Sequence, residues 1–166
     1  MSGLSDHTDA RPLLVILMGS PGDREHGRAI ATAAERFGLD VETRIGSAHR
    51  TPEHVLALVR AYEADPRPKV WVTVAGRSNA LSGFTDPQVS APVIACPPPG
   101  DEVDIWSSLR MPPGVAPAVV LEPVNAALFA AKILAPHSAA VAAAVAAEQQ
   151  RNRERVISAD AELRHG

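Results

Sequence analysis

The sequence predicts a doubly wound α/β domain, a three-layer sandwich with a central parallel sheet between helices. Apolar runs of strand length carry this reading first. Leu13-Leu-Val-Ile-Leu-Met18 and Val70-Trp-Val-Thr-Val-Ala75 lack the polar alternation of a sheet with one wet face, so they suit strands covered on both sides. Stretches with apolar residues at helical spacing separate such runs, and strands that alternate with helices build a parallel sheet with right-handed crossovers.

The elements follow in order. After the strand Leu13–Met18 comes Gly19-Ser-Pro-Gly-Asp23, dense in turn formers. Gly27, Ile30, Ala31, Ala34 and Phe37 then recur at helical spacing in a helix that starts at Arg24, and Gly38 stands where it stops. Val41 to Ile45 mixes β-branched residues with Glu42 and Arg44 and reads as the second strand. The next helix has Thr51 to cap it, Pro52 at its first position and Glu53 in its first turn. Its apolar stripe is Val55, Leu58, Val59 and Tyr62. Asp65-Pro-Arg-Pro68 breaks it, Val70–Ala75 is the third strand, and Gly76-Arg-Ser-Asn79 is a polar turn.

The second half is less regular. Pro92-Val-Ile-Ala-Cys96 reads as a short strand ended by Pro97-Pro-Pro-Gly100, and Trp106 to Met111 as a short helix before Pro112 and Pro113. Ala118-Val-Val-Leu121 is the fifth strand, Asn125 is placed to cap a helix from Ala126 to Leu134, and the alanine-rich tail from Ser138 to about Ile157 is helical by propensity. The chain then divides into a polar leader over 1–12, expected to be mobile, an α/β domain over 13–135, and a helical tail over 136–166. The tail is expected to pack on the core or on a neighbouring subunit. Such alternation most often takes the flavodoxin-like strand order 2-1-3-4-5.

Composition removes several classes of function. With 166 residues, 46% hydrophobic and 21% charged, the chain fits one globular core and not a disordered segment. Sixteen Lys and Arg against 19 Asp and Glu give a formal net charge of −3, which argues against a nucleic-acid partner. One cysteine, Cys96, rules out an internal disulfide framework and a multi-cysteine zinc site, and it reads as a buried strand residue. The longest apolar run, Ala139 to Ala147, is about half of the roughly 20 residues a spanning helix needs, and residues 1–12 do not resemble a secretory signal. The expectation is a cytoplasmic protein with no membrane partner.

In a sheet of this kind ligands bind beyond the carboxyl ends of the strands, near the point where strand order reverses. Three polar loops leave those ends: Gly19 to Asp23, Gly46 to Thr51 and Gly76 to Asn79. The first has two readings. It is a turn with Asp23 capping the helix, or an anion site in which backbone N–H groups and the helix N-terminus face a phosphate. It carries neither dinucleotide nor Walker spacing, which sets nucleoside triphosphates aside. In the second loop, Ser47-Ala-His-Arg-Thr-Pro52, a surface His-Arg pair is one reading. The other is catalysis and phosphate binding, because histidine exchanges protons near neutral pH and arginine offers a fixed fork to phosphate oxygens. His7, His26, His137 and His165 show no metal-ligand spacing with one another, His54 on the helix near the second loop reads as an exposed helix position, and Asp101, Glu102 and Asp104 read as a solvated acidic loop, so no metal is implied.

The loops also carry a resemblance. Met18-Gly-Ser-Pro-Gly-Asp23, Ser47-Ala-His-Arg-Thr-Pro52, Ala75-Gly-Arg-Ser-Asn79, Pro92-Val-Ile-Ala-Cys-Pro-Pro98 and Trp106-Ser-Ser-Leu-Arg-Met-Pro112, in this order over about Leu13 to Leu134, resemble the PurE family of purine biosynthesis. That family comprises 5-aminoimidazole ribonucleotide carboxylases and carboxyaminoimidazole ribonucleotide mutases. Arg77-Ser78-Asn79, Cys96-Pro-Pro and Trp106-Ser-Ser-Leu-Arg are similar to the class II branch, which uses carbon dioxide directly. The resemblance implies carboxylation of 5-aminoimidazole ribonucleotide at ring C4, without a cofactor, by a homo-octamer, with a tetramer as second choice.

It also implies roles. His49 is the proton-transfer residue of a catalytic loop shared with Ser47; Ser20, Asp23 and Arg50, beside Gly19, hold the ribose and 5′-phosphate; Gly76, Arg77, Ser78 and Asn79 lie near the aminoimidazole and carbon dioxide. The sequence departs from the pattern at Gly22, where a second serine is usual, at Ala80-Leu-Ser-Gly83, at Phe84 to Gln88, and after Pro98, where the loop is a few residues short. The alternatives are the mutase reaction and a diverged paralogue that binds a related ribonucleotide with altered or no catalysis.

Overall fold

A computed structural model describes residues 11–165; residues 1–10 of the expected leader and His7 lie outside the described part. Five parallel strands, β1 (Leu13–Met18), β2 (Asp40–Ile45), β3 (Lys69–Val74), β4 (Val93–Ala95) and β5 (Ala118–Val119), form one sheet in the order β2-β1-β3-β4-β5, as the alternation of elements predicts. The register is flush. Leu13 stands beside Asp40 and Lys69, and Met18 beside Ile45 and Val74. The ladder runs one step further, with Gly19 N–H donating to the Val74 carbonyl at 2.8 Å and Gly46 N–H to that of Met18 at 2.9 Å. The first two polar loops therefore leave the sheet at the level where β3 also ends.

Every residue of β1 is buried, because helices cover both faces. Leu14, Ile16 and Met18, with Val70, Val72 and Val74, pack under α1 (Arg24–Glu35), α5 (Pro123–Leu134) and the start of α6 (Ala139–His165). Leu13, Val15 and Leu17, with Trp71, face α2 (Pro52–Glu63) and the short α3 (Leu81–Thr85). Each of these aliphatic side chains contributes about 1.5–3 kcal/mol by leaving water. Trp71 also meets Tyr62 of α2 edge to face, 5.6 Å between ring centroids. Val141 and Val145 of α6 join the first of these cores, whereas the same helix is exposed from Gln150 to Arg164.

Two glycines set the path around the first crossover. A Cβ at Gly27 would stand 2.6 Å from Met18 Sδ and 3.2 Å from its Cγ, so glycine lets α1 lie close on the end of β1. Gly38 has φ +76°, the left-handed conformation that ends the helical segment cheaply only without a side chain. At the amino edge Arg67 ties the α2–β3 turn to β2: its guanidinium bonds both Asp65 oxygens at 2.8–3.1 Å and reaches Asp40 Oδ2 at 3.0 Å.

Several expected boundaries are corrected. Asn125 does not cap α5, which begins at Pro123 behind Glu122; proline fits the first helical position because its missing N–H would have no partner there. Strand β5 spans only Ala118–Val119, since its neighbour β4 is three residues long and Glu122-Pro123 already starts a helix. Asp23 and Thr51 occupy the capping positions of α1 and α2, but neither side chain caps. The structure adds helix α3 and the 3-10 turn Asp86–Gln88, neither long enough to show a period in the sequence. Helix α6 passes Ile157 to reach His165, carried by charged and amide pairs one turn apart such as Gln150 with Glu154 and Arg164 with Asp160. Among the described residues no helix is long and apolar enough to cross a membrane.

Candidate active site

At the carboxyl edge, β1 connects to β2 on one side while β3 lies on the other, so strand order reverses there and leaves a crevice. An open cavity of about 1010 Å³ occupies it. Gly19, Ser20, Asp23, Ser47, His49, Arg50, Gly76, Arg77, Ser78 and Asn79, all named from the sequence, line it together. The volume suits a nucleotide-sized ligand, at the upper end of small-molecule pockets.

The first loop is a 3-10 turn, Pro21–Asp23, leading into α1. Asp23 Oδ2 accepts a hydrogen bond from Ser20 Oγ at 2.9 Å, which draws the carboxylate away from the capping position and sets both side chains on the cavity wall.

The second loop is closed by a pair of side chains. Ser47 N–H donates to Thr51 Oγ1 at 3.0 Å, Thr51 Oγ1 donates back to the Ser47 carbonyl at 3.3 Å, and Arg50 N–H donates to Ser47 Oγ at 3.2 Å. This turn chemistry, in which hydroxyls replace backbone partners, holds the tip Ala48-His49-Arg50. His49 and Arg50 are both exposed there, free to meet a ligand. Ser47 thus shapes the loop, and its hydroxyl proton remains available to donate.

The third loop is strained. Arg77 has φ +53°, a left-handed conformation that costs a side-chain-bearing residue roughly 1–2 kcal/mol. Arg77 and Ser78 are exposed, whereas Asn79 is buried at 4%. The Asn79 amide accepts from the N–H groups of Leu81 and Ser82 and donates to Ser82 Oγ and Ser108 Oγ.

The cavity has a fourth wall that loop-by-loop reading missed. Pro98, Pro99, Gly100, Asp101 and Asp104, from the segment after β4, close its far side, and a smaller cavity of about 360 Å³ adjoins it beside Ile105, Leu121 and Glu122. The signal was present: this segment leaves the carboxyl end of β4, and the rule that places the other loops places it too. Asp101 and Asp104 therefore face the cavity instead of only solvent. Among the described residues no group of three His, Cys, Asp or Glu stands close enough to hold a metal ion.

Outside the cavity, the carboxyl end of β4 carries a second pair. Cys96 is buried, 3.4 Å from His26 Nε2 of α1 and 3.5 Å from the Leu121 carbonyl. Burial, with the Glu122 carboxylate adding to it, pushes the Cys96 thiol up to about 12. Burial also lowers the pKa of His26 against the opposing pull of Asp23, Cys96 and Glu122. Both groups are neutral near pH 7.

The comparisons with known proteins identify the family. The family model for AIR carboxylase matches residues 13–155. A phosphoribosylaminoimidazole carboxylase of Treponema denticola is 50% identical over 157 residues, covering 93% of this chain and 99% of that protein. The enzyme of the same name from Archaeoglobus fulgidus is 50% identical over 153 residues, covering 90% of this chain and 84% of its own. The crystal structure of Treponema denticola PurE superposes with a TM-score of 0.90 at 50% identity, over 92% of this chain and 99% of that one. With the matched region spanning all five strands and every loop of the cavity, the chain belongs to the AIR carboxylase family.

Proposed function

We propose that this protein carboxylates 5-aminoimidazole ribonucleotide at ring C4 with carbon dioxide, giving 4-carboxy-5-aminoimidazole ribonucleotide in purine biosynthesis. The observation that carries the reading is 50% identity over 93% of the chain to a phosphoribosylaminoimidazole carboxylase, in a chain whose polar loops converge on one cavity.

The chemistry suits the groups at hand. The aminoimidazole is an enamine, so its C4 is nucleophilic without help from an external cofactor. C4 attacks the carbon of carbon dioxide, one C–O π pair moves to oxygen, and C4 then carries both a proton and the new carboxylate. His49 accepts that proton and the ring regains its aromaticity. Ser20, Asp23 and Arg50 supply donors and acceptors for the ribose and a guanidinium for the 5′-phosphate, with Gly19 leaving room beside them. The Gly76–Asn79 backbone and Ser47 frame the ring and carbon dioxide, where catalysis rests on positioning in a shaped pocket.

The reaction belongs to the cytoplasm and to a homo-octamer, on our reading, with the tetramer as second choice. Trp106, Leu109, Val156, Ile157 and Leu163 support assembly, since each is more than half exposed in the single chain. Deleting 151–166 spares Val141 and Val145, and light scattering of that variant should report fewer subunits per particle; an unchanged subunit number would remove the tail from the interface.

The decisive assay supplies 5-aminoimidazole ribonucleotide and bicarbonate to the wild type and to His49→Asn. Product from the wild type alone supports the carboxylase. Rearrangement of the N5-carboxylated ribonucleotide without added bicarbonate would replace it with the mutase, and tight ribonucleotide binding without turnover would replace it with a non-catalytic paralogue.

A further inference from the structure

Asn79 lines the cavity, yet its side chain has nothing left to offer a ligand. Oδ1 accepts the N–H groups of Leu81 at 2.9 Å and Ser82 at 3.4 Å, while Nδ2 donates to Ser108 Oγ at 2.9 Å and Ser82 Oγ at 3.2 Å. Both donors and both acceptor positions of the amide are used inside the protein. Its backbone is held as well. The Asn79 N–H lies 2.8 Å from the Arg77 carbonyl and 2.8 Å from Ser107 Oγ. The Ser107 hydroxyl in turn reaches the carbonyls of Arg77 at 3.1 Å and Asp104 at 2.8 Å.

Adjacent hydroxyls of the short helix α4 (Trp106–Leu109) thus grip the third loop from behind. Neither serine lines the cavity, and Ser108 is 1% exposed. The loop they grip contains the left-handed Arg77, a conformation that persists only where its surroundings over-determine it. Ser107 also joins that loop to Asp104 on the opposite wall, so one hydroxyl fixes the spacing of two walls.

We propose that Ser107 and Ser108 are positioning residues for the carboxylation, acting through Asn79 to hold the Arg77-Ser78 backbone in place. This rests on the carboxylase reading above. Asn79 belongs to the same clamp, and its amide is a strut and not a substrate ligand. The consequence is a division of labour. Ribonucleotide affinity resides in the loops bearing Ser20, Asp23 and Arg50, whereas the α4 serines govern how carbon dioxide and C4 are brought together.

The test separates these roles. Ser108→Ala and Ser107→Ala should each lower kcat by about 10- to 100-fold, the cost of a displacement near 1 Å in a positioned reaction. The calorimetric Kd for 5-aminoimidazole ribonucleotide should stay within about 2-fold, because ligand affinity resides on the other loops. Ser107→Thr, which keeps the hydroxyl, should restore most of the lost rate. Asn79→Ala combined with Ser108→Ala should be no slower than Asn79→Ala alone, as expected for groups acting as one unit. Amide hydrogen exchange should accelerate at Arg77 to Leu81 in both alanine variants.

Wild-type kcat in both variants overturns the proposal and leaves the carboxylase reading intact. An equal rise in Kd and fall in kcat/KM also overturns it, by making the serines part of binding. If Ser108→Ala does not fold, Ser107→Ala carries the test. If the wild type itself does not carboxylate, the carboxylase reading fails, and unchanged exchange at Arg77 to Leu81 would overturn the clamp separately.

Discussion

Ser20 donates its hydroxyl proton to the Asp23 carboxylate at 2.9 Å, across the 3-10 turn that opens α1. The bond fixes the carboxylate on the cavity wall while leaving further acceptor positions open to hydroxyls of a ribose. Asp23→Ala should therefore raise KM by about 10- to 100-fold, the worth of one or two charge-assisted hydrogen bonds, with kcat nearly unchanged. Because Asp23 does not cap α1, the thermal midpoint should hardly move. Steady-state kinetics beside a melting curve checks both; a kcat defect with normal KM would move Asp23 into the chemistry.

Arg50 gives a second prediction of the same kind. Its guanidinium is exposed at the tip of the Ser47–Thr51 turn, and only its backbone N–H is committed there, to Ser47 Oγ. Arg50→Ala should weaken ribonucleotide binding by about 100-fold and Arg50→Lys by about 10-fold, because lysine keeps the charge and loses the planar fork. Titrations at two salt concentrations should show a shallower salt dependence for the alanine variant. Equal affinity of Lys and Arg would mean that charge alone binds the phosphate.

The contrast between these loops and α4 shows what a linear reading can see. The parallel order of the strands, the buried β1 and the meeting of Ser20, His49 and Arg77 at one edge follow from apolar runs and from the switch-point rule, both local or topological. The Asp101–Asp104 wall was hidden because an acidic loop looks solvated until its neighbours are placed. Asn79 shows the same limit: in the sequence it is one residue of a polar turn, and Ser108, 29 positions away, is visible as a partner of its amide only in the fold. Caps failed at Asp23 and Thr51 since each found a better partner in a nearby serine, Ser20 and Ser47.

Cys96 yields a prediction about reactivity. Its thiol is fully buried and its pKa is pushed up to about 12, so its thiolate fraction near pH 8 is about a thousandth of that of an ordinary cysteine. Iodoacetamide should leave the native protein unmodified over hours and label it in urea within minutes, read by mass spectrometry. Rapid native labelling with loss of activity would show that the β4 end opens to solvent.

His26 makes stability depend on pH. Burial lowers its pKa below 6.5, and the carboxylates of Asp23 and Glu122 and the hydrogen bond at Cys96 only partly oppose that. Between the two values the unfolded chain binds a proton that the native state refuses. Stability is therefore complete above about pH 6.5 and declines as pH falls through the folded pKa, with a slope of at most about 1.4 kcal/mol per pH unit for one proton. The carboxylates of Asp65 and Glu148, whose pKa values are lowered chiefly by hydrogen bonds from Arg67 and Arg151, also lose their contribution on acidification. They do so only below about pH 4.5, the upper of their ordinary values, so the windows separate. Urea midpoints at about pH 7.5, 6 and 5 should fall for the wild type and stay flatter for His26→Gln, which keeps a polar group beside Cys96 without a titrating one. Parallel curves for the two proteins would assign the decline to other groups and place the His26–Cys96 pair in water.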